Sequence, residues 1–361
     1  MVSGSKKIFV GVSGGVDSSV SAALLQEQGH EVIGVFIRTW QPDWLPCTWK
    51  QERRDAMRVC AHLGIPFVEL DLEKEYKEGV ADYMIAEYRA GRTPNPDVMC
   101  NREVKFGGFL KWALEHGGDY VATGHYVRRE ERDGLVSMLR GVDNSKDQSY
   151  FLWTLEQEQL KHILFPVGEL QKSEVRKEAQ RFGLPTATKK DSQGICFIGD
   201  IDMKEFLSHY IDEEPGKVVN THGQEIGSHR GALFYTYGER HGFNIDAKHK
   251  GIDDAPYYVV AKDVQKNTLT VSQEPQSAQH QEDQILNLTL FVDNTQSFKP
   301  GDVCEFQIRY RGDIKQGRLQ DYRPQENSAV LVLDEYDPAI APGQSIVFYD
   351  GDICLGGGVI S

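Results

Sequence analysis

Apolar positions in the first 125 residues alternate between two periods. Lys7-Ile8-Phe9-Val10-Gly11-Val12 is a short β-branched run ending in glycine-rich sequence, and Ser18 to Gln28 then sets Val20, Ala23, Leu24 and Leu25 at helical spacing. Gly29 predicts the helix stop and His30 to Ile37 the next strand. The pattern recurs as helix Asp55 to Leu63, Gly64 and strand Phe67 to Leu70, then as helix Val104 to His116, Gly117-Gly118 and strand Tyr120 to Gly124. Helix-length and strand-length segments joined by short glycine connections predict an α/β fold, a doubly wound parallel sheet covered on both faces. Ligands of such sheets sit at the carboxyl ends of the strands.

The pattern changes near residue 200. Asp200 to Glu214 reads as an acidic helical stretch with Met203, Phe206, Leu207 and Tyr210 on one face, ended by Pro215-Gly216. Strand-like runs follow at Gly231 to Phe234, Tyr257 to Lys262 and Thr268 to Val271, the last two flanking a Gln265-Lys266-Asn267 turn. From about Asp283 apolar and polar residues alternate, as in Val303 to Tyr310, Ser328 to Leu333 and Ser345 to Tyr349. The expectation is three domains: residues 1–205 catalytic α/β, 206–282 a small β-rich middle domain, and 283–361 a C-terminal β-barrel.

Composition narrows the classes. The chain has 361 residues, 40% hydrophobic and 26% charged, as soluble globular proteins do, which excludes disorder, collagen and coiled coil as global descriptions. The apolar run nearest the start, Ile8 to Val12, is too short for a signal core or a membrane span, so a cytoplasmic protein without membrane contact is expected. Six cysteines (Cys47, Cys60, Cys100, Cys196, Cys304, Cys354) include no Cys-x-x-Cys pair, which argues against a zinc knuckle or a thiol-ligated cluster. Cys304 and Cys354 have apolar neighbours and read as strand-core residues. The formal charge of −14 argues against an anionic partner, unless local patches override the sum.

Two segments carry chemistry. Gly11-Val12-Ser13-Gly14-Gly15-Val16-Asp17-Ser18 lies between a strand and a helix, where backbone N–H groups and the helix dipole bind anions; glycines let phosphate approach and serines donate hydroxyl hydrogen bonds. It matches neither G-x-x-x-x-G-K-[ST] nor G-x-G-x-x-G. Gly91-Arg92-Thr93-Pro94-Asn95-Pro96-Asp97-Val98-Met99-Cys100 is turn-rich, and a helical turn there brings Asp97 and Cys100 to one side. Arg102 and Lys105 nearby favour a thiolate, although Cys100 or Cys196 taken alone also fits a buried small hydrophobe. Lys172 to Lys190 holds six basic residues against two acidic ones, and Arg309 to Arg323 five against two. Arg309-Tyr310 pairs a guanidinium with an aromatic ring, a combination suited to phosphate contact and base stacking.

Ser13 to Ser18 resembles the pyrophosphate loop of the ATP pyrophosphatase superfamily, the adenine nucleotide alpha hydrolase-like fold. That loop followed by Gly91 to Cys100, Gly124-His125-Tyr126, Lys146 to Phe151, Asp191-Ser192-Gln193-Gly194-Ile195-Cys196-Phe197, Arg309-Tyr310-Arg311 and Pro342 to Ser345 resembles the bacterial tRNA-specific 2-thiouridylases over nearly the whole chain. The resemblance implies ATP-dependent 2-thiolation of the wobble uridine in tRNAs for Lys, Glu and Gln. It assigns ATP to Gly11, Val12, Ser13, Gly14, Gly15, Val16, Asp17 and Ser18, with Ile37 and Gly124 at the adenosine, and implies Mg²⁺ beside the phosphates with no metal ligand named. Asn95, Pro96 and Asp97 would hold the target base, with Asp97 also an acid/base. Cys196 would carry a persulfide from a cysteine desulfurase or relay carrier, and Cys100 would be the nucleophile that releases its sulfur, leaving a Cys100–Cys196 disulfide. His125, Lys146, Asp147, Gln148, Arg309, Tyr310 and Gln344 would touch tRNA. Gln193, where the family often has Thr, and Glu239 and His241, in a segment usually bearing Gln and Lys, depart from the family pattern. The rival readings are an amide-forming adenylating enzyme with the same loop, and a non-catalytic tRNA-binding or sulfur-carrier protein.

Overall fold

The computed structural model describes residues 4–45, 49–132, 134–190, 202–249, 255–273, 284–294, 298–337 and 340–361. Strands β1 (Lys7–Gly11), β2 (Glu31–Arg38), β3 (Phe67–Asp71) and β4 (Tyr120–Ala122) are parallel in the order β3-β2-β1-β4. Ile8, Phe9 and Val10 of the central strand are all buried, as a strand covered on both faces requires. Helix α1 (Val16–Glu27) follows β1 directly, and α2 (Trp49–Leu63) lies over β2 so closely that a Cβ on Gly34 would fall 2.3 Å from Cys60 Sγ. The predicted α/β sheet is therefore present.

The helix expected to begin at Val104 begins earlier. Pro96–Met99 forms its first turn, Cys100–Gly108 widens to i→i+5 bonding, and Phe109–Glu115 returns to α geometry. Cys100 thus opens the wide stretch rather than the helix. A hairpin absent from the local pattern follows β4, made of β5 (Val127–Arg132) and β6 (Leu135–Arg140), and β7 (Ile163–Leu164) then adds to the edge of the parallel sheet beside β4.

Among the described residues of the acidic stretch from Asp200, Met203–Ser208 is helical; Phe206 and Leu207 are buried there, and Met203 and Tyr210 pack partly buried against the same core. The middle body is a five-stranded sheet of β8 (Gly216–Val219), β9 (Glu225–His229), β10 (Asn244–Ile245), β11 (Tyr258–Asp263) and β12 (Thr268–Ser272). Ala232–Phe234, expected to be extended, is instead a 3₁₀ turn entered through Gly231 at φ 148°, a conformation a strand does not use.

Strands β13 (Ile285–Asp293), β14 (Val303–Gln307), β15 (Lys315–Arg323), β16 (Ser328–Leu333), β17 (Ser345–Asp350) and β18 (Ile353–Ile360) run in the order β13-β16-β15-β14-β17-β18 and close through β13–β18 into a six-stranded barrel. Ser328–Leu333 alternates half-buried and buried positions with the period of two that a barrel wall imposes, and Phe306, Phe348, Leu319 and Leu331 fill the interior. The β5–β6 hairpin extends this sheet: Met138 and Leu139 of β6 pair with Cys354 and Ile353 of β18. Cys304 and Cys354 are buried as expected, and burial pushes their thiols up to about 11 and about 12. No helix among the described residues is long and apolar enough to cross a membrane.

Candidate active site

The turn after β1 is tied down at both ends. Val12 N–H donates to Val35 O at 2.8 Å, Ser18 Oγ lies 3.3 Å from Ser13 Oγ, and Ser19 Oγ donates to Gly15 O at 2.6 Å. Gly15 precedes α1 with no side chain capping the helix, so its first amides face the loop without a side-chain acceptor. Gly14 has φ 73°, and a Cβ there would lie 2.6 Å from Glu52 O, so the tight approach of α2 admits only glycine. A Cβ on Gly124, just past β4, would fall 2.6 Å from Ser18 N, which places Gly124 against the start of α1. Ile37, half-buried, lies near the carboxyl end of β2. The two glycine contacts hold the loop against α2 and the end of β4 against the start of α1, at the carboxyl ends of the strands.

Positive charge reaches this loop from far along the chain. Lys172 Nζ donates to both carboxylate oxygens of Asp17 at 2.7 and 2.8 Å, and Tyr126 Oη donates to the same carboxylate at 2.6 Å. Lys189 Nζ donates to Gly14 O at 3.0 Å and to Asp55 Oδ2 at 2.8 Å. At Asp55, burial works to raise the carboxyl, but the Lys189 hydrogen bond and charge, with Gln51 and Arg58, bring it below its ordinary value. Glu52 beside it is raised by burial. Read in sequence, Lys172 to Lys190 looks like an RNA-facing patch. In the fold Lys172 and Lys189 reach the loop after β1, Arg181 pairs with Glu27 at 2.6 Å, and Arg176 donates to Ala187 O at 3.0 Å. Their distance in sequence from the loop hid these contacts; the missing loop lysine was the signal that a cation could come from elsewhere.

The second cluster lies on the Pro96 helix. Asn95 Oδ1 accepts from Val98 N–H at 3.3 Å and Pro96 occupies the first helical position, which together fix the turn that carries Asp97 and Cys100. Burial raises the Asp97 carboxyl above its ordinary value, opposed by the charge of Lys105. Cys100 is 5% exposed. Lys105 Nζ donates to His125 Nε2 at 3.3 Å, so Nδ1 of the ring carries the proton and donates to Thr123 Oγ1 at 2.7 Å. Burial, with Lys105, holds His125 well below its ordinary value, and Phe106 and Phe165 flank it. His125 is therefore a neutral, enclosed imidazole. Cys196 lies outside the described residues, as does Cys47.

All three bodies hold the segment before Asn95. Thr93 N–H donates to Pro342 O at 2.7 Å, the Thr93 and Thr236 hydroxyls are hydrogen-bonded, and a Cβ on Gly91 would fall 2.8 Å from Val264 Cγ2. Of the expected RNA residues, Asp147 and Tyr310 line one cavity, while His125 is enclosed against Phe106 and Phe165. Asp147 is buried, accepting from Gly141 N–H at 3.0 Å and Ser149 Oγ at 2.9 Å, and Gln148 Oε1 accepts from Tyr126 N–H at 3.0 Å. These two side chains shape the loop that presents Lys146. Gln344 Oε1 similarly accepts from Ala341 N–H at 2.8 Å. Arg309 is exposed, and Tyr310 packs on Phe151 with ring centroids 4.6 Å apart. Arg140, Asp147, Tyr150, Gln307, Tyr310 and Arg311 line a cavity of about 390 Å³ there. Glu239, a departure from the family pattern, points inward to an ion pair with Lys204.

Comparisons with known proteins agree with this arrangement. Residues 6–200 match the model of a tRNA methyl transferase HUP domain, 204–273 that of a tRNA methyl transferase PRC-barrel domain, and 286–360 that of an aminomethyltransferase beta-barrel domain. The tRNA-specific 2-thiouridylase MnmA of Streptococcus uberis is 48% identical over 98% of this chain and 95% of its own, and that of Streptococcus sanguinis 47% identical over the same shares. A solved 4-thiouridine synthetase–RNA complex with bound ATP shares 21% identity over 53% of this chain and 44% of its own at a TM-score of 0.34, too loose a likeness to carry an argument. The chain belongs to the tRNA-specific 2-thiouridylase family.

Proposed function

We propose that this chain is an ATP-dependent tRNA sulfurtransferase that converts a uridine of tRNA to 2-thiouridine, acting on the wobble position of tRNAs for Lys, Glu and Gln. The observation that carries the reading is the pairing of Asp97 and Cys100 on one turn, pinned among three bodies, in a sheet whose first turn is a pyrophosphate loop. The N–H groups of Ser13 to Ser18 grip the leaving pyrophosphate, and Lys172 and Lys189 neutralise the phosphates. The loop's carboxylate, Asp17, accepts from Lys172 through both oxygens and from Tyr126, so no side chain is assigned to Mg²⁺. Mg²⁺ would there offset phosphate charge.

Asn95, Pro96 and Asp97 hold the base. Its O2 attacks the α-phosphate, pyrophosphate leaves, and an inert carbonyl oxygen becomes a good leaving group. Sulfur arrives as a persulfide on Cys196 from a desulfurase or relay carrier; Cys100 attacks the inner sulfur, the terminal sulfur passes to C2, AMP departs and a Cys100–Cys196 disulfide remains for reductants to reopen. The burial-raised Asp97 is suited to moving the base proton. Incubation of Cys100→Ser and the parent with ATP, Mg²⁺, tRNA and a persulfide source tests the division of labour. Pyrophosphate release should continue while 2-thiouridine formation falls at least 100-fold; a variant with unchanged thiolation contradicts the assignment, and an amide-forming enzyme would not respond to the substitution at all.

A further inference from the structure

Asn101, next to Cys100 at the start of the wide helical stretch, is 3% exposed and uses only half of its amide. Its Nδ2 donates to Phe151 O at 3.1 Å, whereas Oδ1 is buried with no hydrogen-bond partner among the described residues. A stranded buried oxygen costs stability, so packing alone would favour an apolar side chain of the same shape at this position. The acceptor belongs to the 3₁₀ turn Ser149–Phe151, which the barrel holds at two places. Tyr150 Oη donates to Ile308 O at 2.7 Å and to Ser345 O at 3.0 Å, and the Phe151 ring packs on Tyr310. The Asn101 amide thus bonds the residue after Cys100 to a turn that is itself fixed on the barrel. Wide helical turns of the kind that Cys100 opens are rare and cluster at functional sites.

We propose that Asn101 is a positioning residue for sulfur transfer: its bond to Phe151 O fixes the turn that carries Cys100 and so sets where the Cys100 thiol stands, with no part in binding ATP or forming the adenylate. The inference rests on the function proposed above. Gln159 provides the control, because its Nε2 donates to Phe106 O at 2.9 Å and so ties the same helical stretch at a point away from Cys100.

The test compares Asn101→Leu and Gln159→Glu with the unsubstituted chain. Asn101→Leu removes the stranded Oδ1 together with the donor, so the fold should survive it; Asn101→Ala, equally without the donor, carries the same expectations, and loss of the fold in both overturns the proposal by making Asn101 structural. With unmodified tRNA, ATP, Mg²⁺ and a persulfide source, kcat for thiolation by Asn101→Leu should fall at least tenfold. Its KM for tRNA and its pyrophosphate release in the first turnover should stay within threefold of the parent, and Gln159→Glu should keep the parent kcat. Alkylation of Cys100 by iodoacetamide in the absence of tRNA, followed by peptide mass analysis, should speed up at least fivefold in Asn101→Leu and keep the parent rate in Gln159→Glu. Unchanged thiolation, pyrophosphate release lost in parallel with thiolation, unchanged alkylation of Cys100, or equal effects in Gln159→Glu overturns the positioning role. A parent that forms no 2-thiouridine while alkylation still separates the two variants overturns the proposed function and leaves the placement of Cys100 by Asn101 standing.

Discussion

Asp97 shows how one side chain ties stability to chemistry. Its carboxyl has an ordinary value of 3.8, and burial raises the folded value above that. The folded chain thus holds this proton more tightly than the unfolded one, so the contribution to stability is greatest below pH 3.8 and is lost as pH rises through the raised value. Above the raised value the folded chain carries a desolvated carboxylate that Asp97→Asn removes. The variant should melt at a higher temperature than the parent at pH 7, with the gain shrinking as pH falls toward 4, while thiolation drops about 100-fold. A lower melting temperature at pH 7, checked by calorimetry across that range, contradicts the account. The sequence placed Asp97 and Cys100 on one side because a three-residue spacing in a helical turn is a local matter. Lys189 was legible as a charge but not as a phosphate-loop residue, because its approach to Gly14 joins positions 175 residues apart.

Elements were legible to the extent that their burial was local. β1 to β4 and the helices between them announce themselves by apolar period, and so do β14, β16 and β17 of the barrel. The β5–β6 hairpin does not: Val127-Arg128-Arg129-Glu130-Glu131-Arg132 is mostly charged, and its partner β18 lies more than 200 residues on. Ala232–Phe234 misled because an apolar run of three serves a 3₁₀ turn as well as a strand. The hairpin makes the catalytic body and the barrel share a sheet, and Trp153, fully buried, packs where they meet. A Cβ on Gly357 of β18 would lie 2.5 Å from Ile346 O and 2.8 Å from Trp153 Cδ2. Gly357→Ala should therefore destabilise the junction by about 1–3 kcal/mol. Denaturant unfolding followed by Trp fluorescence should show the loss; a variant as stable as the parent contradicts this packing.

Across the whole molecule, the net charge of −14 conceals a division of labour among its cations. Lys172, Lys189 and Arg181 of the Lys172 to Lys190 run are held by Asp17, Asp55 and Glu27, whereas Arg140 and Arg311 line the 390 Å³ cavity, which under the proposed function is the place for RNA. The fold class could be read from sequence; the convergence of three bodies on Thr93 could not, since it depends on contacts between Thr93 and both Thr236 and Pro342. That convergence places one turn, with its carboxyl and its thiol, where the three bodies meet, which the proposed function makes the meeting point of nucleotide and RNA. The most direct measurement incubates the chain with ATP, Mg²⁺, unmodified tRNA and a persulfide source, followed by nucleoside mass analysis. The account predicts replacement of oxygen by sulfur at the wobble uridine, dependent on ATP and absent in Cys100→Ser; an unchanged wobble uridine with folded protein, or sulfur gained without ATP, contradicts it.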